Sequence, residues 1–262
     1  MAHRTVGNRE GTRQVTAGED GEKEISIMTT PSRPDPLPWV LGVLTMTTGL
    51  IDAVSVLGLG RVFTANMTGN VVFLGFAAAG VPGFSVARAV VSLVGFVVGA
   101  MLGGRLGVMM AGVARRRWLL TVAVVEAGLC FVAAWVAIGY DLVTCTPVPT
   151  LYALIVLTAV AMGLRNATVR RLAVPDLTTT VLTLTLTAIA ADSALAGGRS
   201  PRLGRRLAAV LSIFAGSAVG AVLVSLEGLT PPLVVTGACI LLVTVAYAAH
   251  PASKKVSGDT HH

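Results

Sequence analysis

Long apolar segments separated by short polar ones dominate the chain. Six of these segments have roughly the 20 residues that a helix needs to cross a bilayer core of about 30 Å. They cover residues 39–59, 86–111, 118–139, 150–170, 205–226 and 231–249. The pattern therefore predicts an all-α integral membrane protein with six transmembrane helices.

Two further apolar segments do not fit this pattern. Residues 68–81 are too few to span a membrane, and they follow a polar string, Asn66-Met67-Thr68-Gly69-Asn70. Residues 177–196 begin after Pro175-Asp176 and are rich in threonine. A helix over all of 177–196 would be about 30 Å long, too long for a half-membrane arm. We interpret both segments as re-entrant or interfacial helices, which start and end on one side of the membrane.

The positions of the basic residues decide between six and eight crossings, because Lys and Arg in short loops stay in the cytoplasm. With six crossings and the N-terminus inside, only Arg61 and Arg88 lie outside, and twelve basic residues lie inside. The twelve are Arg115, Arg116, Arg117, Arg165, Arg170, Arg171, Arg199, Arg202, Arg205, Arg206, Lys254 and Lys255. With eight crossings the same residues divide seven to seven. Six crossings with both termini in the cytoplasm are therefore predicted.

Composition narrows the possible functions. Hydrophobic residues make up 54% of the chain and charged residues 13%, whereas a soluble domain is about 25% charged. The net charge of +7 arises in the loops of the membrane region, so we expect a lipid bilayer and not a nucleic acid as its partner. All four histidines lie in the terminal segments and the three cysteines are far apart. We therefore expect no metal site, no cofactor and no enzymatic activity.

The chain divides into three regions. Residues 1–37 are polar and are predicted to be a disordered cytoplasmic arm, 38–249 form the membrane domain, and 250–262 form a cytoplasmic tail. The two halves of the membrane domain, 38–139 and 150–249, share short patterns. Gly49-Leu50-Ile51-Asp52-Ala53 matches Gly163-Leu164-Arg165-Asn166-Ala167, and Gly95-xxx-Gly99 matches Gly216-xxx-Gly220. Since each half crosses three times, these would be inverted repeats, an arrangement that many transporters have.

Two of these motifs also carry a resemblance to a known family. The string Gly49-Leu50-Ile51-Asp52-Ala53-Val54-Ser55, followed by Phe63-Thr64-Ala65-Asn66-Met67-Thr68-Gly69-Asn70, is similar to the signature of the YoaK family of bacterial membrane proteins, whose function is unknown. The resemblance covers most of residues 38–249. It implies a bacterial plasma (inner) membrane protein of about six spans, and it supplies no substrate and no residue roles.

Polar residues inside apolar segments are the candidates for function, because they are costly in a membrane and are kept there for a reason. Asp52 is interpreted either as a proton- or cation-binding group that faces a cavity, or as a structural carboxyl that caps a backbone break or pairs with Arg61 or Arg88. Glu126 is either functional or held by a buried structural hydrogen bond. The complete set of candidates for solute binding or coupling is Asp52, Asn66, Thr68, Gly69, Asn70, Glu126, Asn166, Asp176, Thr178 and Thr179.

The polar string 66–70 could start a helix whose N-terminus points into the membrane and faces an anionic or polar solute. Alternatively, its side chains only satisfy the backbone of a broken helix. The segment at Asp176 would be its counterpart from the cytoplasmic side.

Glycines recur every fourth residue at Gly95, Gly99, Gly103 and Gly107. Small residues at this spacing let helices approach closely, either within the bundle or between the protomers of a homo-oligomer.

Two classes of function follow from these residues. The first is a transporter or channel for a small polar or anionic solute, with proton coupling through Asp52 or Glu126. The second is a membrane scaffold, or a signalling or assembly partner, that moves no solute. A continuous polar path would distinguish the first class from the second.

Overall fold

The computed structural model describes residues 36–172, 182–199 and 203–250. This part of the chain forms eight α-helices and one short 3-10 helix, and it contains no strand. The α-helices are α1 (Leu37–Gly58), α2 (Met67–Ala78), α3 (Val86–Met109), α4 (Arg115–Val136), α5 (Val148–Leu172), α6 (Leu182–Ala191), α7 (Leu203–Glu227) and α8 (Thr230–Ala249).

The six predicted spans correspond to α1, α3, α4, α5, α7 and α8, each of which is long and apolar enough to cross a membrane. Local signals fix where several of them begin. α1 and α8 carry proline in their first turn, where the missing N–H costs no hydrogen bond. The Ser85 side chain accepts from the Arg88 N–H (3.4 Å) and caps α3. The prediction of an all-helical fold with six helices of membrane-spanning length and composition is confirmed for the described residues.

The two remaining apolar segments form the short helices α2 and α6. The second differs from the prediction, since α6 ends at Ala191 and a turn and a 3-10 helix, Ala194–Ala196, follow. At 10 residues, α6 is about 15 Å long. Arg206 of α7 holds its end by donating to the Ala188 carbonyl (2.9 Å) and to Asp192 Oδ2 (2.7 Å).

Four helices, α1, α4, α5 and α8, form the centre of the bundle. α4 packs on α5 and α8, α1 packs on α8, and α1 and α5 touch more weakly. α7 packs along α1 and α3 packs along α5. α3 and α7 expose large apolar side chains such as Met101, Leu102, Leu211 and Phe214, as lipid-facing helices do. The two short helices lie on these outer helices, α2 on α3 and α6 on α7.

The glycine repeat of α3 packs against another helix of the same chain. Gly95, Gly99, Gly103 and Gly107 are all buried, and a Cβ atom added to any of them would lie close to α5. A Cβ at Gly99 would overlap the carbonyl of Val160, so only glycine permits this distance between the two helices. Of the two roles predicted for the repeat, the structure assigns these residues to packing within the bundle. Formation of a homo-oligomer stays a prediction.

Candidate functional site

A non-helical segment between α1 and α2 forms part of the wall of the site. The chain turns away from α1 at Gly60, whose φ of +75° is a conformation that favours glycine. Arg88 Nη1 donates to the Gly60 carbonyl (3.2 Å) and ties the turn to α3. At the end of α1, the Tyr140 hydroxyl donates to the Gly58 carbonyl (2.9 Å). Burial raises the pKa of this phenol, so it stays protonated and keeps donating.

Asn70 satisfies the backbone of this segment at Phe63. Its side-chain amide donates to the Phe63 carbonyl (2.5 Å) and to Ser92 Oγ (3.1 Å), and its oxygen accepts from the Phe63 N–H (2.8 Å). The Ser92 hydroxyl donates to the same carbonyl (2.5 Å). Asn70 and Ser92 are fully buried. For Asn70, the arrangement matches the alternative in which the polar string completes a broken helix.

Asn66 and Gly69 shape the first turn of α2. The Asn66 side chain accepts from the Gly69 N–H (3.4 Å) and caps the helix. The ring of Phe63 lies against Gly69, where a Cβ would be only 2.6 Å from its nearest ring atom. Gly69 therefore allows this aromatic side chain to approach the first turn of α2 closely.

Asp52, Asn66, Thr68 and Gly69 line one cavity of about 490 Å³, which we call the Asp52 cavity. Its wall is formed by α1, the segment before α2, α2 itself, and single positions of α3 and α7, and α6 contributes Thr183. The volume lies in the range of small-molecule sites, about 300–1,000 Å³. The sequence thus identified four residues that the structure brings together around one space.

Asp52 has neither of the partners proposed from the sequence. Its Oδ1 atom is buried and has no hydrogen-bond partner among the described residues. Arg88 is engaged at Gly60, and the guanidinium of Arg61 lies over the Phe84 ring, 5.8 Å from its centroid. The interpretation of Asp52 as half of an ion pair with Arg61 or Arg88 is therefore wrong.

Glu126 forms a buried ion pair with Arg165. Arg165 Nε lies 2.5 Å from Glu126 Oε1, and the two side chains are 2% and 3% exposed. Arg165 Nη1 also donates to the Leu44 carbonyl (2.9 Å) and to Thr48 Oγ1 (3.0 Å). The pair borders an apolar cavity of only about 30 Å³ between α1, α4, α5 and α8. The ion pair and the hydrogen bonds of Arg165 thus connect α1, α4 and α5.

Arg165 was missed as a site residue, because it was counted among the cytoplasmic loop charges. Without Arg165, eleven basic residues lie inside against two outside, so the charge distribution still favours six crossings. A signal was present in the sequence. Glu126 lies near the middle of α4, and Arg165 lies well before the cytoplasmic end predicted for α5. Opposite charges at similar depth in a membrane are expected to pair.

The candidates of the second half are placed differently. The Asn166 side chain donates to the Met162 carbonyl of its own helix (2.8 Å), and Asn166 is not among the residues of the Asp52 cavity. Asp176, Thr178 and Thr179 lie outside the described residues. Within the described ranges, no three His, Cys, Asp or Glu residues are grouped in a way that could hold a metal ion.

Comparison with known proteins places the chain in a family. The sequence profile described as "Protein of unknown function (DUF1275)" matches residues 40–246, which is most of the membrane domain. The chain belongs to the DUF1275 family. This DUF1275 protein is 33% identical over 157 residues to the UPF0700 transmembrane protein YoaK of Bacillus subtilis (strain 168). The resemblance to the YoaK family read from the two motifs is confirmed.

The aligned region covers 58% of this DUF1275 protein and 65% of YoaK, so it spans less than two thirds of that relative. No solved structure matches the chain. Family membership and the six apolar helices identify a multi-pass membrane protein.

Proposed function

We propose that this DUF1275 protein is a transporter for a small polar solute in the bacterial plasma membrane. The observation that carries the proposal is the Asp52 cavity, where a half-buried aspartate faces a space large enough for a solute, and its Oδ1 atom has no hydrogen-bond partner among the described residues. An unpaired acidic residue within a membrane helix is costly, and in transport proteins such residues bind solutes, ions or protons.

The alternative is a membrane scaffold or signalling partner that moves nothing. The contacts of Asn70 favour it locally, since they only complete the break before α2. Asp52 argues against it, because a group that serves structure alone has its hydrogen bonds satisfied. We therefore favour transport, with Asp52 as the group that contacts the solute or carries a coupling proton.

Matching contacts at two helix pairs support inverted repeats. A Cβ at Gly49 of α1 would contact Ile213 and Ser217 of α7, which lie three residues before and one residue after Gly216. A Cβ at Gly163 of α5 would contact Phe96 and Ala100 of α3, which likewise lie three residues before and one residue after Gly99. α1 thus meets α7 as α5 meets α3. This register pairs Gly99 with Gly216, one helical turn away from the match proposed from the sequence.

The proposed topology has both termini in the cytoplasm, with α2 approaching from outside and α6 from inside. Reporter fusions after Gly139 and Leu229 are expected to report outside, and fusions after Ala114 and Arg202 inside. The reason is the retention of arginine-rich loops in the cytoplasm. A fusion at Arg202 that reports outside would contradict the same-side placement of α6.

The proposed role of Asp52 predicts a selective effect of Asp52→Asn. The amide keeps the shape of the side chain and strands no partner, so we expect the melting temperature to stay close to that of the unmodified protein. Solutes that stabilise the unmodified protein in a thermal screen should bind the variant at least about ten-fold more weakly. Any pH dependence of binding or uptake should also disappear, because the amide cannot ionise.

The matched control is Asp141→Asn, in an exposed loop outside the Asp52 cavity, and it should leave binding unchanged. Equal binding of the same solutes by the Asp52→Asn variant, with an unaltered pH response, would rule out both a solute-contacting and a coupling role.

A further inference from the structure

The lining of the Asp52 cavity indicates the charge of its ligand. Asp52 is the only ionisable side chain among the described residues that line it, and none of them is Lys or Arg. The arginines nearest in the chain are held elsewhere, Arg61 over a phenylalanine ring and Arg88 at a backbone carbonyl. Among the described residues, the lining therefore carries one carboxyl group and no basic side chain. Arg165, which donates to Thr48 of this lining, is paired with Glu126.

Aromatic rings form a second feature of the same wall. Phe63, Phe73 and Phe96 all line the cavity, and Phe63 and Phe73 are stacked with their centroids 5.5 Å apart. The face of an aromatic ring is electron-rich and attracts ammonium groups, including quaternary ones. A carboxylate and aromatic rings around one space are complementary to an organic cation.

The N-terminus of α2 opposes this preference only weakly. A helix N-terminus carries about half a positive charge, against the full negative charge of an ionised Asp52. The N–H group of Gly69, in the first turn of α2, already donates a hydrogen bond to the Asn66 side-chain oxygen. The hydroxyls of Thr68 and Thr183 can bind polar groups of either sign, so they do not reverse the balance.

We infer that the Asp52 cavity binds a small organic cation, an alkylammonium group whose charge faces Asp52 and whose methyl or methylene groups contact Phe63, Phe73 and Phe96. The inference rests on the proposed transport function for its physiological meaning, and it replaces the polar or anionic solute expected from the sequence by one chemical class.

Three probes of similar size and different charge test the inference on the full chain in lipid nanodiscs. They are tetramethylammonium, tert-butanol and pivalate. Only tetramethylammonium is expected to raise the melting temperature in a saturable manner, because a ligand that binds the folded state stabilises it. Stabilisation by pivalate in place of tetramethylammonium, or by none of the three, would overturn the inference.

Variants locate the binding site. Asp52→Asn is expected to weaken tetramethylammonium binding at least about ten-fold, whereas Asp52→Glu, which keeps the charge, should retain most of it. Phe73→Leu should weaken binding about three- to thirty-fold. Phe76→Leu is the matched control, since Phe76 belongs to the same helix and aromatic cluster but does not line the cavity. Equal losses in the two phenylalanine variants would contradict the proposed site.

Uptake separates this inference from the proposed function. Proteoliposomes that contain the chain are assayed for accumulation of labelled tetramethylammonium. Binding in nanodiscs without uptake would leave the cation site intact and count against transport. Uptake of pivalate without binding or uptake of tetramethylammonium would support transport and refute the cation site.

Discussion

Replacing Arg165 by methionine is expected to lower the free energy of unfolding by about 3–5 kcal/mol, which is the effect of removing one partner of a buried ion pair. The variant leaves the Glu126 carboxylate in an apolar space without a positive charge. It also removes the hydrogen bonds to Leu44 and Thr48 that connect α5 to α1. The measurement is a denaturant or thermal unfolding curve in one fixed detergent.

A double variant provides the control. Arg165→Met combined with Glu126→Leu removes both charges, and we expect it to recover most of the lost stability, because an apolar pair of similar volume often replaces a buried ion pair without cost. If the double variant is as unstable as the single one, the loss reflects packing and not an uncompensated charge. A single variant of normal stability would show that the ion pair is not needed to hold the bundle together.

Replacing Gly99 by valine is expected to separate α3 from α5. Even the Cβ of the new side chain would overlap the Val160 carbonyl, and a helix backbone cannot move locally out of the way. We expect a loss of about 3 kcal/mol, at the upper end of what overpacking costs, measured by the same unfolding curve.

Gly104→Val is the matched control on the same helix, since a Cβ there meets nothing within 4 Å. Both variants make the same Gly-to-Val change in helix propensity, so the difference between them isolates the contact with α5. The proposed repeat extends the test to α7, where Gly216→Val should be destabilising and Gly204→Val, again with no neighbour within 4 Å, should be tolerated. Similar losses at Gly99 and Gly104 would mean that the close helix contact is not the cause.

The six spans could be predicted from the sequence because long apolar segments and basic loops report directly on the membrane. The start of α2 was also predictable, since the side chain of Asn66 is a favourable helix cap. Each of these features depends on residues that are close together in the sequence.

Long-range pairing could not be predicted in the same way. The similar depth of Glu126 and Arg165 in their helices makes the pair possible, but the two meet only because α4 and α5 pack side by side. The amide of Asn70 could equally have faced a solute. Its capture by Phe63 and Ser92 depends on how α2 leans on α3, a tertiary arrangement that the polar string does not encode.

The packing of α1 against α7 has a consequence for synthesis of the chain at the ribosome. α3 and α5 are separated only by α4, whereas every helix from α2 to α6 lies between the end of α1 at Gly58 and the start of α7 at Leu203. α1 therefore enters the membrane long before the helix that covers Gly49 exists. During that interval the face of α1 that α7 later covers, which includes Gly49, Leu50 and Ala53, is covered by lipid or by the insertion machinery. The first half of the protein is thus completed by the second, and maturation of the Asp52 cavity waits until α7 has been translated.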